Sequence, residues 1–509
     1  MLTFLLRRLG ASLVVLLAAT YLMYNLTAYS GDPLEDLRTS TARNKEELIQ
    51  RRIEILNLNV PPYFRYFIWL GGVLKVFAGQ IDLGKNISGQ EVTKLLSNAV
   101  GTTLQLVTIA TLLSILLGVI TGISTALRQY SAFDYTVTFI SFLFFSLPLF
   151  WVAVLLKQYF AIGFNDFLAD PQIPIWLIVA LPFITGFIWQ GIIGGTVRRR
   201  LIVAGISALV TLFVLITLVS TNWFAAPGLG PIVGAALGIG FALFITMIST
   251  GLSNKRALYA SLTTVGVGLV LWYPFNLLSM QFTIWLYLLC AVLSAVVGYF
   301  IGWFMGGVDK GPVARTAAIS MVMMSGIVAL DRFMQAWKPY VESSYVSGRP
   351  FATVGSQTPN LKGSFWVMGV DQFTHLLLPT MALLLIGFAG YTRYSRASLL
   401  EVMNQDFIRT ARAKGLTERT VVMRHAFRNA MIPLTTLVAF DFAGIIGGAV
   451  ITERVFGWSG MGSLFVESLV HVDVNPVMGF FLITGSVAIL FNLVADLVYT
   501  LLDPRIRVN

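Results

Sequence analysis

Long apolar runs broken by short charged clusters recur along the whole chain. Leu9 to Gly31 is uncharged and follows Arg7 and Arg8. Leu95 to Leu127 ends at Arg128, and Tyr135 to Leu156 ends at Lys157. Between about 173 and 337 the pattern divides into six runs: 173–195, 201–222, 231–252, 257–279, 282–306 and 314–336. The last of these has only fifteen uncharged residues before Asp331 and is the weakest of the six. Three more lie at about 372–392, 433–452 and 477–502. A bilayer core needs about 20 apolar residues per helix, so the pattern predicts an all-α polytopic membrane protein with about twelve spans. The basic start and first apolar run resemble a signal peptide. No small-residue cleavage pattern comes after them, so the run is expected to be the first span.

Composition removes the soluble alternatives. The chain is 56% hydrophobic and 12% charged, whereas soluble domains average about 25% charged residues. The net charge of +11 could suggest nucleic acid. However, Arg198-Arg199-Arg200, Lys255-Arg256 and Lys310/Arg315 fall in alternate loops, as the positive-inside rule requires. An even number of inserted spans then keeps both termini cytoplasmic, and binding to nucleic acid is not needed to explain the charge. One cysteine and three scattered histidines (His375, His425, His471) offer neither a disulfide framework nor a metal-ligand spacing. Gly79 to Asn86 (GQIDLGKN) nearly matches a phosphate-binding loop but has Asn86 where a magnesium-binding hydroxyl is required.

The most distinctive stretch is Asp406 to Pro433, DFIRTARAKGLTERTVVMRHAFRNAMIP. Six basic residues (Arg409, Arg412, Lys414, Arg419, Arg424, Arg428) are opposed only by Asp406 and Glu418. Phe407 and Ala411, then Val421, Val422 and Ala426, recur at helical spacing around Gly415. The pattern reads as helix, glycine turn, helix. An ordinary positive-inside loop would account for the charge, and a docking surface would also account for the amphipathic pieces. Further on, Asp441 is the one carboxylate expected near mid-bilayer, where ionisation is expensive. It serves either a polar path or a buried structural contact. Gly444, Gly447 and Gly448, with Ala443 and Ala449, put small residues on the same span, allowing close helix approach. Asp496 is expected to be structural.

Residues 395–433, SRASLLEVMNQDFIRTARAKGLTERTVVMRHAFRNAMIP, resemble the cytoplasmic EAA loop of ABC-importer permeases in the dipeptide/oligopeptide/nickel branch, the DppB/OppB type. Arg409 stands where the generic motif has an acidic residue. The outer loop LNLNVPPYFRYFIWLGGVLKVFAGQIDLG and the tail LLDPRIRVN also resemble that branch. The resemblance implies a six-helix permease core divided by about six additional spans: residues 1–160, an inserted block 161–340, and 341–509. It further implies a coupling helix formed by Asp406, Phe407, Ile408, Arg409, Thr410, Ala411, Arg412, Ala413, Lys414 and Gly415. The span carrying Asp441, Gly444 and Gly448 would border the translocation path.

The same resemblance implies a non-enzymatic transport subunit that binds no cofactor itself. ATP and Mg would be used by two separate ATP-binding-cassette subunits. The other expected partners are a second permease subunit of the DppC/OppC type, an extracytoplasmic substrate-binding protein and membrane lipid. The expected setting is a bacterial or archaeal plasma (inner) membrane, with peptides as cargo. Nickel or oligosaccharide import by the same machinery, and a secondary transporter, are the alternatives. A secondary transporter would carry ion-coupling carboxylates and an internal repeat, which the sequence does not display.

Overall fold

The computed structural model describes residues 2–279, 282–445, 447 and 449–502, the side chains of 2–6, 419, 443 and 495–502 excepted. Among these residues the regular elements are helices, with one isolated bridge between Lys85 and Glu91. Apolar runs in a bilayer have no water for their backbone groups, and a helix satisfies those groups within the run itself. Eleven of the helices are long and apolar enough to cross a membrane. The protein is an all-α polytopic membrane protein.

The helices Ile175–Ile193, Val197–Ser220, Gly230–Ser249, Lys255–Leu278, Ile284–Met305 and Lys310–Gln335 fall on the six runs between 173 and 337. Several starts are set by local capping. Thr196, Asn254 and Thr283 each accept a hydrogen bond from the backbone N–H three residues on.

Two expected spans differ from the structure. The run 135–156 is not one helix. Ala132–Ser146 stops at Leu147, whose extended backbone is the conformation favoured before Pro148. A new helix then runs Leu149–Ala169, with a π-helical stretch at Leu156–Ile162. Lys157 therefore lies inside a helix rather than ending one. The run 433–452 is also displaced: the helix is Phe427–Ile445, Pro433 lies within it, and Val450–Phe456 is separate. Pro433 is the seventh residue of its helix and forgoes one ladder hydrogen bond there, so the apolar run alone marked neither end of the helix.

The chain forms two compact units. One comprises residues 1–159, 353–356 and 376–509; the other comprises 160–352 and 357–375. In the first, the loop helix Pro62–Leu74 lays Tyr66 and Trp69 on Tyr24, Leu96 and Met478. The Tyr66 and Thr20 hydroxyls share a hydrogen bond of 3.0 Å inside that cluster. In the second, Lys310–Gln335 is the central helix, with Ala314, Ala317, Met321 and Met324 buried. Gly298 and Gly302 bring the neighbouring helix against Ala314 and Ala317, an approach that a side chain would block.

The weakest expected span is thus the best buried helix of its unit. Asp331, which interrupted its apolar pattern, is buried and accepts hydrogen bonds from the N–H groups of Leu229 and Gly230 (2.7 and 3.0 Å). It caps the start of Gly230–Ser249, where unpaired amides and the helix dipole favour an anion.

Candidate functional site

The Asp406–Ala413 helix is eight residues long, and Lys414 ends it. Gly415 comes next with φ +75°, the left-handed region that suits glycine, so the chain turns sharply. Thr417 then caps the Glu418–Thr420 turn through the N–H of Thr420. Across the glycine turn Arg412 donates two hydrogen bonds to Glu418, Nη2 to Oε1 at 2.7 Å and Nε to Oε2 at 3.2 Å. The guanidinium holds the Glu418 carboxyl below the usual carboxylate range. A bidentate pair of this kind fixes the turn geometry more than it adds stability, because both groups are exposed.

The phase of this helix differs from the spacing read in the sequence. Ile408 and Ala411 are its buried residues, packed with Ala126, Leu399, Val402, Val421, Ala426 and Ala430. Phe407, paired with Ala411 in the sequence pattern, is exposed instead. Asp406, Arg409, Thr410, Arg412, Ala413, Lys414 and Gly415 are exposed with it. Ala411 therefore anchors the helix to its own bundle, while Phe407, Leu416 and Met423 present apolar surface among basic groups. An open groove of about 740 Å³ beside the loop is bordered by Arg128, Met403, Arg412, Glu418 and Met423. The loop is tied back at its root: Arg396 donates to both oxygens of buried Asp134 at 2.9 and 3.0 Å.

Asp441 lies on an uncovered face of Phe427–Ile445, with Phe440 and Gly444 also exposed. The buried Tyr391 donates its hydroxyl to Asp441 Oδ2 at 2.5 Å. A Cβ added to Gly444 would meet nothing within 4 Å, so this glycine borders open space rather than a packed helix. Gly448 lies outside the described residues, as does the side chain of Asp496. The near-match to a phosphate loop at 79–86 has no strand-loop-helix context; Asn86 instead closes a turn through the N–H groups of Ser88 and Gln90.

One carboxylate was missed by sequence reasoning. Glu453 is fully buried and accepts hydrogen bonds from Thr103 Oγ1 (2.7 Å) and the N–H of Ser463 (2.9 Å). Thr103 in turn accepts from the N–H of Met461 at 2.8 Å. Burial pushes the Glu453 carboxyl above its usual range. A Cβ on Gly460 would fall inside contact distance of that carboxylate, which explains the glycine. Nearby, Lys157 Nζ donates to the carbonyl of Val455 at 2.9 Å. The signal was available, since Glu453 is the sole acidic residue between Asp441 and Glu467.

Residues 316–508 match the family described as binding-protein-dependent transport system inner membrane component. The match begins inside the Lys310–Gln335 helix and runs through the Asp406–Ala430 loop, the Asp441 helix and Glu453.

Over 159 residues the chain is 43% identical to the oligopeptide transport system permease protein OppB of Mycobacterium tuberculosis (strain ATCC 25618 / H37Rv), covering 31% of this chain and 49% of that protein. Over 157 residues it is 40% identical to the oligopeptide transport system permease protein AppB of Bacillus subtilis, covering 31% and 48%. Over 138 residues it is 41% identical to the dipeptide transport system permease protein DppB of Escherichia coli K12, covering 27% and 41%. The chain thus spans about half the length of the curated relatives it matches.

Proposed function

We propose that this chain is a permease subunit of an ATP-driven importer and forms part of a membrane path for di- and oligopeptides. The observation that carries the reading is the Asp406–Ala413 helix within the family-matched region. Its inner face is packed on its own bundle, and its outer face offers Phe407 with Leu416, Met423 and basic side chains. Such a helix is about 12 Å long and too short to be stable alone. Packed below and open above, it can pass a push from a partner into the spans it rests on. The partners in this reading are two ATPase subunits, which bind ATP and Mg, a second permease subunit and an external substrate-binding protein. The chain itself performs no chemistry. Asp441, Gly444 and Gly448 border the path, the termini are cytoplasmic, and the host membrane is a bacterial or archaeal plasma membrane.

The test is coexpression with ATP-binding-cassette ATPase subunits of a peptide importer, followed by copurification and peptide-stimulated ATP hydrolysis in proteoliposomes. Phe407→Glu changes an exposed residue and should leave insertion and folding intact while abolishing ATPase binding or coupled uptake. Gly415→Val should do the same by straining the turn that aims the helix. Full coupling in both variants would overturn the reading. Ala411→Glu is the weaker probe, because it also disrupts the chain's own packing.

A further inference from the structure

The unit formed by residues 160–352 and 357–375 contains a cavity of about 470 Å³ that the transport reading does not use. Seven aromatic rings line it, among them Phe164, Trp223, Phe224, Phe333, Trp337 and Phe373. Among the described residues no charged, hydroxyl or amide side chain does. The polar side-chain atoms of the lining are two indole N–H groups, and that of Trp223 already donates to the carbonyl of Gly228 at 2.9 Å. Asn165, beside Phe164, is spent as well: its amide donates to Phe351 O at 2.8 Å and its oxygen accepts from Phe351 N at 3.0 Å.

The rings come from the ends of helices. Phe164 is near the end of Leu149–Ala169, Phe333 is in the last turn of Lys310–Gln335, and Phe373 is near the start of Phe365–Met403. Trp223 and Phe224 sit in the connection between Val197–Ser220 and Gly230–Ser249. The cavity therefore lies toward the ends of the helices that line it. At its mouth, Leu330 and Phe373 are 53% and 55% exposed, so it opens toward whatever surrounds the protein. Its volume falls within the roughly 300–1,000 Å³ of sites that hold small molecules.

We propose that this cavity is a binding site for one acyl chain of a phospholipid from the surrounding bilayer. Water needs two or more polar partners in a cavity, and a peptide segment would leave its amides unpaired here. A hydrocarbon chain needs only apolar contact, which this lining offers, and a chain embedded in a bilayer is surrounded by such chains. The acyl-chain site does not depend on the transport reading; it requires only that the chain is embedded in lipid.

The test uses the full chain in nanodiscs of phosphatidylethanolamine and phosphatidylglycerol, with a trace of phosphatidylcholine carrying a diazirine on one acyl chain. After irradiation, adducts are mapped by peptide mass spectrometry. Adducts at Phe164–Leu168, Trp223–Pro227 and Leu330–Trp337 should exceed those at Leu209 and Phe213, which are exposed on Val197–Ser220. Leu168→Trp, inside the cavity, and Leu330→Trp, at its mouth, should each lower the cavity adducts about fivefold or more, because added volume excludes the occupant. The adducts at Leu209 and Phe213 should not change in either variant, which also reports correct insertion. Should a variant lose both sets through misfolding, the wild-type ratio decides. Cavity adducts no more frequent than those at Leu209 and Phe213 would overturn the proposal. So would adducts unaffected in both correctly inserted variants, or displacement of the label by excess Leu-Leu-Leu peptide.

Discussion

Asp331 and Asp441 are both carboxylates on long apolar helices, and the chain treats them in opposite ways. Asp331 is buried, and its oxygens accept from Leu229 N, Gly230 N and Gln335 Nε2. Asp441 is exposed, and its one partner among the described residues is Tyr391. A carboxylate whose acceptors are consumed by its own chain serves the fold. One left with open lone pairs on an uncovered face is available to something else. Glu453 falls with Asp331, since both its oxygens are used. Asp473 sits between the two classes: it is buried, Oδ2 accepts from the N–H of Ile87 at 3.0 Å, and Oδ1 has no partner.

The contrast can be broken most directly at Asp331. Asp331→Leu should cost about 4 kcal/mol, because two helix-start amides and Gln335 lose their acceptor at about 1–3 kcal/mol each. Thermal unfolding in detergent would register this, with Asp331→Asn costing about half. A loss under about 1 kcal/mol would remove Asp331 from the structural class.

Asp473 should come next in size. Burial pushes its carboxyl up to about 6, partly offset by the Ile87 N–H and by Arg52 and His471. The folded state therefore holds the proton more tightly than the unfolded chain, whose ordinary value is 3.8. Its contribution is fully present below about pH 4 and is lost as pH rises through about 6. The change amounts to at most about 3 kcal/mol. Comparing unfolding midpoints between pH 4 and 7 in wild type and Asp473→Asn isolates this contribution. Because the Glu453 carboxyl is raised as well, a pH dependence of undiminished size in Asp473→Asn is what would refute the assignment.

Gly460→Ala should cost about 2 kcal/mol by forcing the Glu453 carboxylate off Thr103. Glu453→Asp, one methylene shorter, should recover part of that loss in the double variant. Additive losses would mean that the two residues do not touch.

Asp441→Asn should have the smallest effect on stability, within about 0.5 kcal/mol of wild type. On the proposed transport function, uptake by the reconstituted complex should nevertheless fall about tenfold, the equivalent of about 1.4 kcal/mol. A stability loss like that of Asp331→Leu would place Asp441 among the structural carboxylates instead.

Much of this arrangement is legible in the sequence, with identifiable gaps. Apolar runs located the helices between 173 and 337, because a bilayer-length run has few other ways to satisfy its backbone. The turn at Gly415 between two helices was legible because a positive φ demands a particular residue type. Two things were not. The break at Leu147-Pro148 lies inside an unbroken apolar run, where hydropathy is silent on backbone direction. The inward turn of Ile408 and Ala411 depends on Leu399, Val402 and Ala430, which are distant in sequence or on other helices. A short helix with Phe407 and Ile408 adjacent admits two phases until its neighbours are known. Asp331 misled for a related reason, since a charge in an apolar run signals either a boundary or a cap.

The π-helical turn at Val421–Ala426 leads directly into the helix that carries Asp441. Such a turn holds an extra residue compared with an α-helix, and each residue added or removed rotates the downstream helix by about 100°. The turn is therefore a gear tooth that sets the angle at which Asp441 arrives beneath Tyr391. Changes in length between Gly415 and Thr417 can be taken up by irregular chain. Deleting one residue from 421–426 would rotate the whole Asp441 helix and aim its carboxylate elsewhere, without altering a single residue of that helix.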